Sequence, residues 1–246
     1  KVGVPVSTIE DMRILLKNIP LDKISISIDH HPVKENEPFT YTWIDIKAPA
    51  TGYMIWELLT MGDESTPIDT LSAKGLYTAL VTDTGSFKYS NTTSKSHLMA
   101  SHLIDSGVKP QEVTTHVFES RKLLHIQLLG DALNGLKFKF DKTVAWVKLT
   151  NEDFKSRNAS SKDIEGFADF VRSIENIEIA FTLIEDDDGS IRISFRSKGK
   201  YTVNDIAKEF GGGGHIYAAG ARAHSISISD IENKIISLIE KKVEIN

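Results

Sequence analysis

Isoleucine occupies every second position over residues 23–28, and this period of two predicts a strand. Residues 43–46 repeat the pattern briefly. Apolar positions spaced three and four apart predict helices over 9–17, 50–60, 69–82 and 95–106, the last closed by Gly107. Two more helices are expected within 110–133. From Gly135 the texture changes. Strands are predicted over 136–140 and 144–149, turning at Asp141 and Lys142, followed by a helix over 161–174. Residues 177–185 and 190–196 alternate on either side of an Asp-Gly turn at Asp188 and Gly189, the pattern of a hairpin. A helix over 203–210, a run of four glycines ending in His215, and an amphipathic helix over 229–243 complete the chain.

This order predicts an α/β domain with a mainly parallel sheet flanked by helices, then a smaller α+β domain with a mixed sheet. The boundaries expected are 1–120 for the first domain, 121–135 for a helical linker and 136–246 for the second.

Composition removes several classes of function. The 246 residues are 40% hydrophobic and 26% charged, proportions of a folded globular chain rather than a disordered one. With no cysteine, disulfide frameworks, cysteine nucleophiles and thiolate metal sites are excluded. That fits a reducing, cytoplasmic location, and no apolar run is long enough to predict a membrane helix. A net charge of −5 excludes a broadly basic nucleic-acid coat but not a local phosphate site. The chain opens on Lys1 and passes at once into Val2-Gly3-Val4-Pro5-Val6, so an upstream segment is expected.

Three places carry candidate chemistry. Asp29-His30-His31 stands at the end of the 23–28 strand and is stopped by Pro32. Imidazole and carboxylate at a strand tip suit divalent cations such as Mn²⁺; a surface histidine pair is the alternative. Asp83 follows an apolar segment just before a Thr-Gly turn, where it either binds a cation or caps local structure. Gly211 to Gly214 with His215 lets backbone amides approach an anion closely, and Arg196, at the end of an alternating strand, can fork onto phosphate or serve as an ordinary surface arginine.

Taken together, Ile28-Asp29-His30-His31-Pro32, Val81-Thr82-Asp83-Thr84-Gly85-Ser86-Phe87, Ile193-Ser194-Phe195-Arg196-Ser197 and Phe210 through His215 with Ala218-Ala219-Gly220 resemble the DHH/DHHA1 phosphoesterase family over nearly the whole chain. Within it the resemblance is greatest to the oligoribonuclease and pAp phosphatase branch. It implies a hydrolase of phosphoester bonds that uses two Mn²⁺ ions, with Mg²⁺ as an alternative, on short RNA and on the 3′-phosphate of pAp. The partner implied is a short RNA or nucleotide, with no membrane, and a homodimer is admitted. By this resemblance His30 and Asp83 ligate metal, Asp83 also bridging the ions and acting in catalysis. His31 is catalytic beside the scissile phosphate, and Asp29 orients the loop. Arg196, His215 and the amides of Gly213 and Gly214 hold phosphate.

Two departures qualify that implication. The family's first His-x-x-x-Asp-x-Asp motif is not found, and roughly 75–80 residues of the usual architecture are expected upstream. Ser7 stands where a bridging aspartate is expected, with Asp11 nearby and Arg13 after it. Serine is the poorer ligand for a divalent ion. The polypeptide alone is therefore expected to hold metal weakly and to hydrolyse little. Two alternatives remain at this point: a catalytically impaired nucleotide-binding protein of the same family, and a cyclic dinucleotide phosphodiesterase.

Overall fold

The computed structural model describes residues 25–32, 39–61, 63, 65–164 and 166–243. The helix expected over 9–17, with Ser7, Asp11 and Arg13, lies outside these residues. The chain forms two compact units that divide between Ser120 and Arg121.

In the first unit β1 (Ile26–Asp29) pairs in parallel with β2 (Tyr41–Ile44), Asp29 standing opposite Ile44. Helices α1 (Thr51–Thr60), α2 (Thr70–Asp83), α3 (Ser94–Asp105) and α4 (Pro110–Phe118) follow. Their apolar positions converge on a core containing Met54, Trp56, Leu80, Met99 and Leu103. Gly52 brings α1 against α2, because a Cβ there would lie 2.7 Å from Ala79 Cβ. The ends of α2 and α3 are set by side chains. Asp69 accepts hydrogen bonds from the amides of Leu71 and Ser72, and Thr93 with Ser96 forms a capping box.

The second unit contains α5 (Leu123–Asn134), β3 (Lys137–Lys139), β4 (Val144–Leu149), α6 (Asn151–Ser156), α7 (Phe167–Arg172), β5 (Ile179–Glu185), β6 (Ile191–Ser197), α8 (Asn204–Lys208), β7 (Gly213–His215), β8 (Ala218–Ala223) and α9 (Ile228–Val243). Six strands form one mixed sheet in the order β3-β4-β5-β6-β8-β7, parallel only between β4 and β5. Each face carries a core. Val144, Phe181, Ile193 and Phe195 pack with Ile206, Ile231 and Ile235 on one face. Ala145, Val147 and Ala180 pack with Leu128, Phe154, Phe167 and Val171 on the other. Trp146 stacks on Phe181 at 5.2 Å, and the buried Glu232 of α9 accepts hydrogen bonds from the Trp146 indole and from Lys137 and Lys148.

Several expectations are corrected here. The helix over 161–174 is a 3₁₀ turn (Ser161–Asp163) and the short α7, interrupted at Gly166, whose φ of 74° lies in the left-handed region. Helix α6 was not foreseen, although Thr150 and Asp153 form its capping box. The expected linker, α5, belongs to the second unit, with Leu128 and Ala132 buried in its core. Of the four glycines, Gly213 and Gly214 belong to β7, the terminal strand of the sheet.

Candidate active site

β1 ends at Asp29, and the next residue, His30, is 2% exposed. One oxygen of Asp29, Oδ1, organises this turn. It accepts from the His30 amide (2.7 Å), the His31 amide (3.2 Å), the His31 imidazole Nδ1 (2.8 Å) and the Thr51 hydroxyl (3.2 Å). Burial pushes this carboxyl up, but the hydrogen bonds and charge of His31 outweigh it and hold Asp29 below the ordinary carboxylate range. The pinned aspartate thus fixes where the His31 imidazole points and holds the His30 backbone at the strand tip.

His30 Nδ1 lies 3.1 Å from the Ala48 carbonyl oxygen. A carbonyl oxygen can only accept, so Nδ1 carries a proton, and the second ring nitrogen, Nε2, is the atom left to meet a cation or a carboxylate. Nε2 faces Asp83 Oδ2 at 3.4 Å. Two lone-pair atoms held that close repel each other unless a proton or a cation lies between them. Burial, the largest influence, pushes the Asp83 carboxyl up; His30 and His31 pull it back, and Asp29 adds to the push.

Asp83 is the last residue of α2. The chain leaves it through three consecutive left-handed residues, Gly85 (φ 55°), Ser86 (φ 58°) and Phe87 (φ 64°). Such a run stores strain and recurs where a side chain must be aimed. A Cβ at Gly85 would lie 2.3 Å from the Tyr89 ring, so glycine is required there. Thr84 ties the turn together, donating to the Leu80 carbonyl (2.7 Å) and accepting from the Phe87 amide (3.1 Å). Asn91 Nδ2 then donates to the carbonyls of Asp83 (3.1 Å) and Pro49 (3.0 Å), joining the end of α2 to the loop that carries Ala48. Thr51, the Ala48 carbonyl and Asn91 were not identified from the sequence. Each acts through a single hydroxyl, a backbone carbonyl or a side-chain amide bound to backbone carbonyls, and no spacing rule marks it.

In the second unit, Arg196 of β6 stands opposite Ala218 of β8, and Ala218 stands opposite His215 of β7. Directly opposed residues of antiparallel strands share a face, so Arg196 and His215 project from the same side of the sheet. Arg196 Nε donates to both oxygens of Asp169 in α7 (3.1 and 3.0 Å), and its Nη1 donates to the Phe195 carbonyl (2.9 Å). Asp169 also pairs with Arg172 at 3.3 Å. Asp169 gives no sequence signal, because its α7 was read as the middle of a longer helix.

Glycine is needed at two positions of the His215 segment. A Cβ on Gly212 would lie 2.1 Å from the Gly220 carbonyl oxygen, and one on Gly214 (φ 132°) would lie 2.7 Å from that of Ala218. A Cβ on Gly213 would meet nothing within 4 Å. The run therefore brings β7 close to β8 and leaves Gly213 open.

A two-unit chain, with a histidine–carboxylate pair at a strand tip in one unit and an arginine–histidine row on a mixed sheet in the other, defines a class. Residues 141–244 match the DHHA1 domain. The second unit is thus a DHHA1 domain. It is 26% identical over 226 residues to the bifunctional oligoribonuclease and PAP phosphatase NrnA of Thermus thermophilus, covering 92% of this chain and 66% of that protein. It is 30% identical over 207 residues to the protein of the same name from Bacillus subtilis, covering 83% of this chain and 64% of that protein. It thus spans slightly less than two thirds of the length of these relatives. The crystal structure of an exopolyphosphatase-related protein from Bacteroides fragilis superposes with a TM-score of 0.78 at 29% identity, covering 88% of this chain and 63% of that one.

Proposed function

We propose that this chain forms part of a metal-dependent phosphoesterase that hydrolyses short oligoribonucleotides and the 3′-phosphate of pAp. The observation that carries this reading is the approach of His30 Nε2 to Asp83 Oδ2. An imidazole lone pair set by a backbone carbonyl, beside a carboxylate, is a donor set that suits Mn²⁺ and, through its oxygen, Mg²⁺. The names of the Thermus and Bacillus relatives supply the substrate class.

A divalent ion held there supplies Lewis-acid chemistry for phosphoryl transfer to water. The protein's own groups do the rest. His30 and Asp83 hold the charge in place, and Asp29 keeps His31 turned so that its ring serves the leaving oxygen. In hydrolysis a water oxygen bonds to phosphorus, the bond to the ribose oxygen breaks, and that oxygen takes up a proton. In the second unit, Arg196 and His215, with the amides of Gly213 and Gly214, are assigned to holding a phosphate. No helix among the described residues is long and apolar enough to cross a membrane, which is compatible with a cytoplasmic enzyme.

The test measures metal and turnover together. Mn²⁺ titrated into the protein should give a bound electron-paramagnetic-resonance signal that Asp83→Asn and His30→Gln each reduce at least tenfold in affinity. Release of AMP from the dinucleotide pApA should follow the bound metal. Mn²⁺ affinity unchanged in both variants would overturn the reading.

A further inference from the structure

Of the donors gathered by Asp29 Oδ1, the amides of His30 and His31 and the His31 ring all come from the two residues that follow it. A turn bonded to itself in this way can still swing as a unit about the end of β1. The Thr51 hydroxyl, at 3.2 Å, comes from 22 positions further along the chain and from another element, as the first residue of α1. That helix is fixed in the core. Ala50 and Met54 are fully buried, Tyr53 and Trp56 nearly so, and Gly52 lies against Ala79 of α2. Thr51 is therefore the point at which the Asp29 turn is registered against a rigid element.

Helix α1 begins on Ala50 without a side-chain cap, and Thr51 directs its hydroxyl at Asp29. The carboxylate thus stands within one side chain's reach of the first turn of α1, where the partial positive charge of a helix N-terminus favours it. His31 depends on this hold more than His30 does. His30 is buried, with Nδ1 against the Ala48 carbonyl. The His31 side chain is 49% exposed; its ring stands edge-on to that of His30 at 4.6 Å, and its Nδ1 donates to Asp29. Packing alone does not fix a ring so exposed, so the line from Thr51 through Asp29 sets its direction.

We infer that Thr51 is a positioning residue for His31, acting through Asp29 and independently of the His30–Asp83 pair. This rests on the part proposed above for His31 at the leaving oxygen and adds to it the residue that aims the ring. Asn91 ties the loop of Ala48, and through it His30, to the end of α2. Thr51 ties Asp29, and through it His31, to the start of α1. The two histidines are thus held by different hydrogen bonds, and a substitution can loosen one while leaving the other in place.

The experiment compares Thr51→Val, which keeps the shape of the side chain and removes the hydroxyl, with Thr51→Ser, which keeps the hydroxyl. In the metal-free protein, NMR of labelled histidine nitrogens should show the His31 ring signals moved in Thr51→Val and those of His30 in place. Thr51→Ser should leave both near wild type. With Mn²⁺ and pApA, Thr51→Val should lower kcat roughly tenfold while KM and Mn²⁺ affinity stay unchanged, the pattern of a group misaimed in the transition state alone. Thr51→Ser should restore most of the rate, and a retained melting temperature shows that the variants fold. If the His31 signals do not move, if Mn²⁺ affinity falls in step with kcat, or if Thr51→Ser is as slow as Thr51→Val, Thr51 does not aim His31 and the phosphoesterase reading stands. If the wild-type protein neither binds Mn²⁺ nor turns over pApA, that reading falls and the part of Thr51 falls with it.

Discussion

Arg196 and His215 project from one face of the second sheet because both stand opposite the same residue, Ala218. The small side chain between them leaves the row open above β8. Arg196 is not a loose surface arginine, since Asp169 grips its Nε with both oxygens. Arg196→Lys loses that fork while keeping the charge. It should lower stability by about 1 kcal/mol and weaken phosphate binding roughly tenfold or more, read by thermal melts and calorimetry. Equal phosphate affinity in the lysine variant would show that only charge matters at this position.

The glycine run gives a sharper contrast. Gly212→Ala places a methyl group against the Gly220 carbonyl and should cost about 2–3 kcal/mol as β7 is pushed away from β8. Gly213→Ala, one residue on, meets open space and should stay within about 0.5 kcal/mol of wild type. Denaturant unfolding of the two variants in parallel decides the matter. Equal costs would mean that the strands are not apposed as described.

Glu232 makes the second unit sensitive to acid. Burial raises its carboxyl, but hydrogen bonds from Lys137, Trp146 and Lys148 outweigh that and hold it below the ordinary glutamate value of 4.5. The folded state therefore binds its proton less readily than the unfolded state. The stability this contributes is complete above about pH 4.5 and is lost as pH falls through the lower folded value. Glu232→Gln should cost about 1–3 kcal/mol at pH 7, and its stability should fall less steeply between pH 5 and pH 3 than that of wild type. Parallel slopes would remove Glu232 from the account.

Asn91 joins the backbone at Asp83 to that at Pro49. Asn91→Ala leaves both carbonyls without this donor and should cost about 1–3 kcal/mol. It should also weaken Mn²⁺ binding, because the loop that sets the His30 tautomer is no longer tied to α2. Retained metal affinity together with lowered stability would restrict Asn91 to a structural part.

How legible the site was depends on the range of the contacts that make it. The Asp29-His30-His31 tip was visible because alternation and Pro32 are local signals. The meeting of His30 with Asp83 was anticipated from resemblance alone, since nothing near either residue encodes a contact so distant in sequence. A glycine run is ambiguous by itself, since glycine serves an anion cradle and a close strand approach alike. Its requirement at Gly212 comes from the Gly220 carbonyl on another strand, which no local pattern shows. Gly166 was passed over because the apolar spacing on either side of it continued as if unbroken. The capping box at Thr150 was local and readable, but six residues of α6 are too few to establish a helical period.

Both boundary strands of the six-stranded sheet, β3 and β7, are three residues long. A short edge offers an incoming chain little template for backbone pairing, and lysine on an edge discourages it further. Lys137 and Lys139 supply that charge on β3, whereas β7 carries two glycines and no charge apart from a titratable histidine. The two rims are thus guarded unequally. Crowding and misfolding stress should find their first foothold at the β7 rim, which also carries His215, so resistance to aggregation and exposure of that histidine are opposing demands on the same three residues.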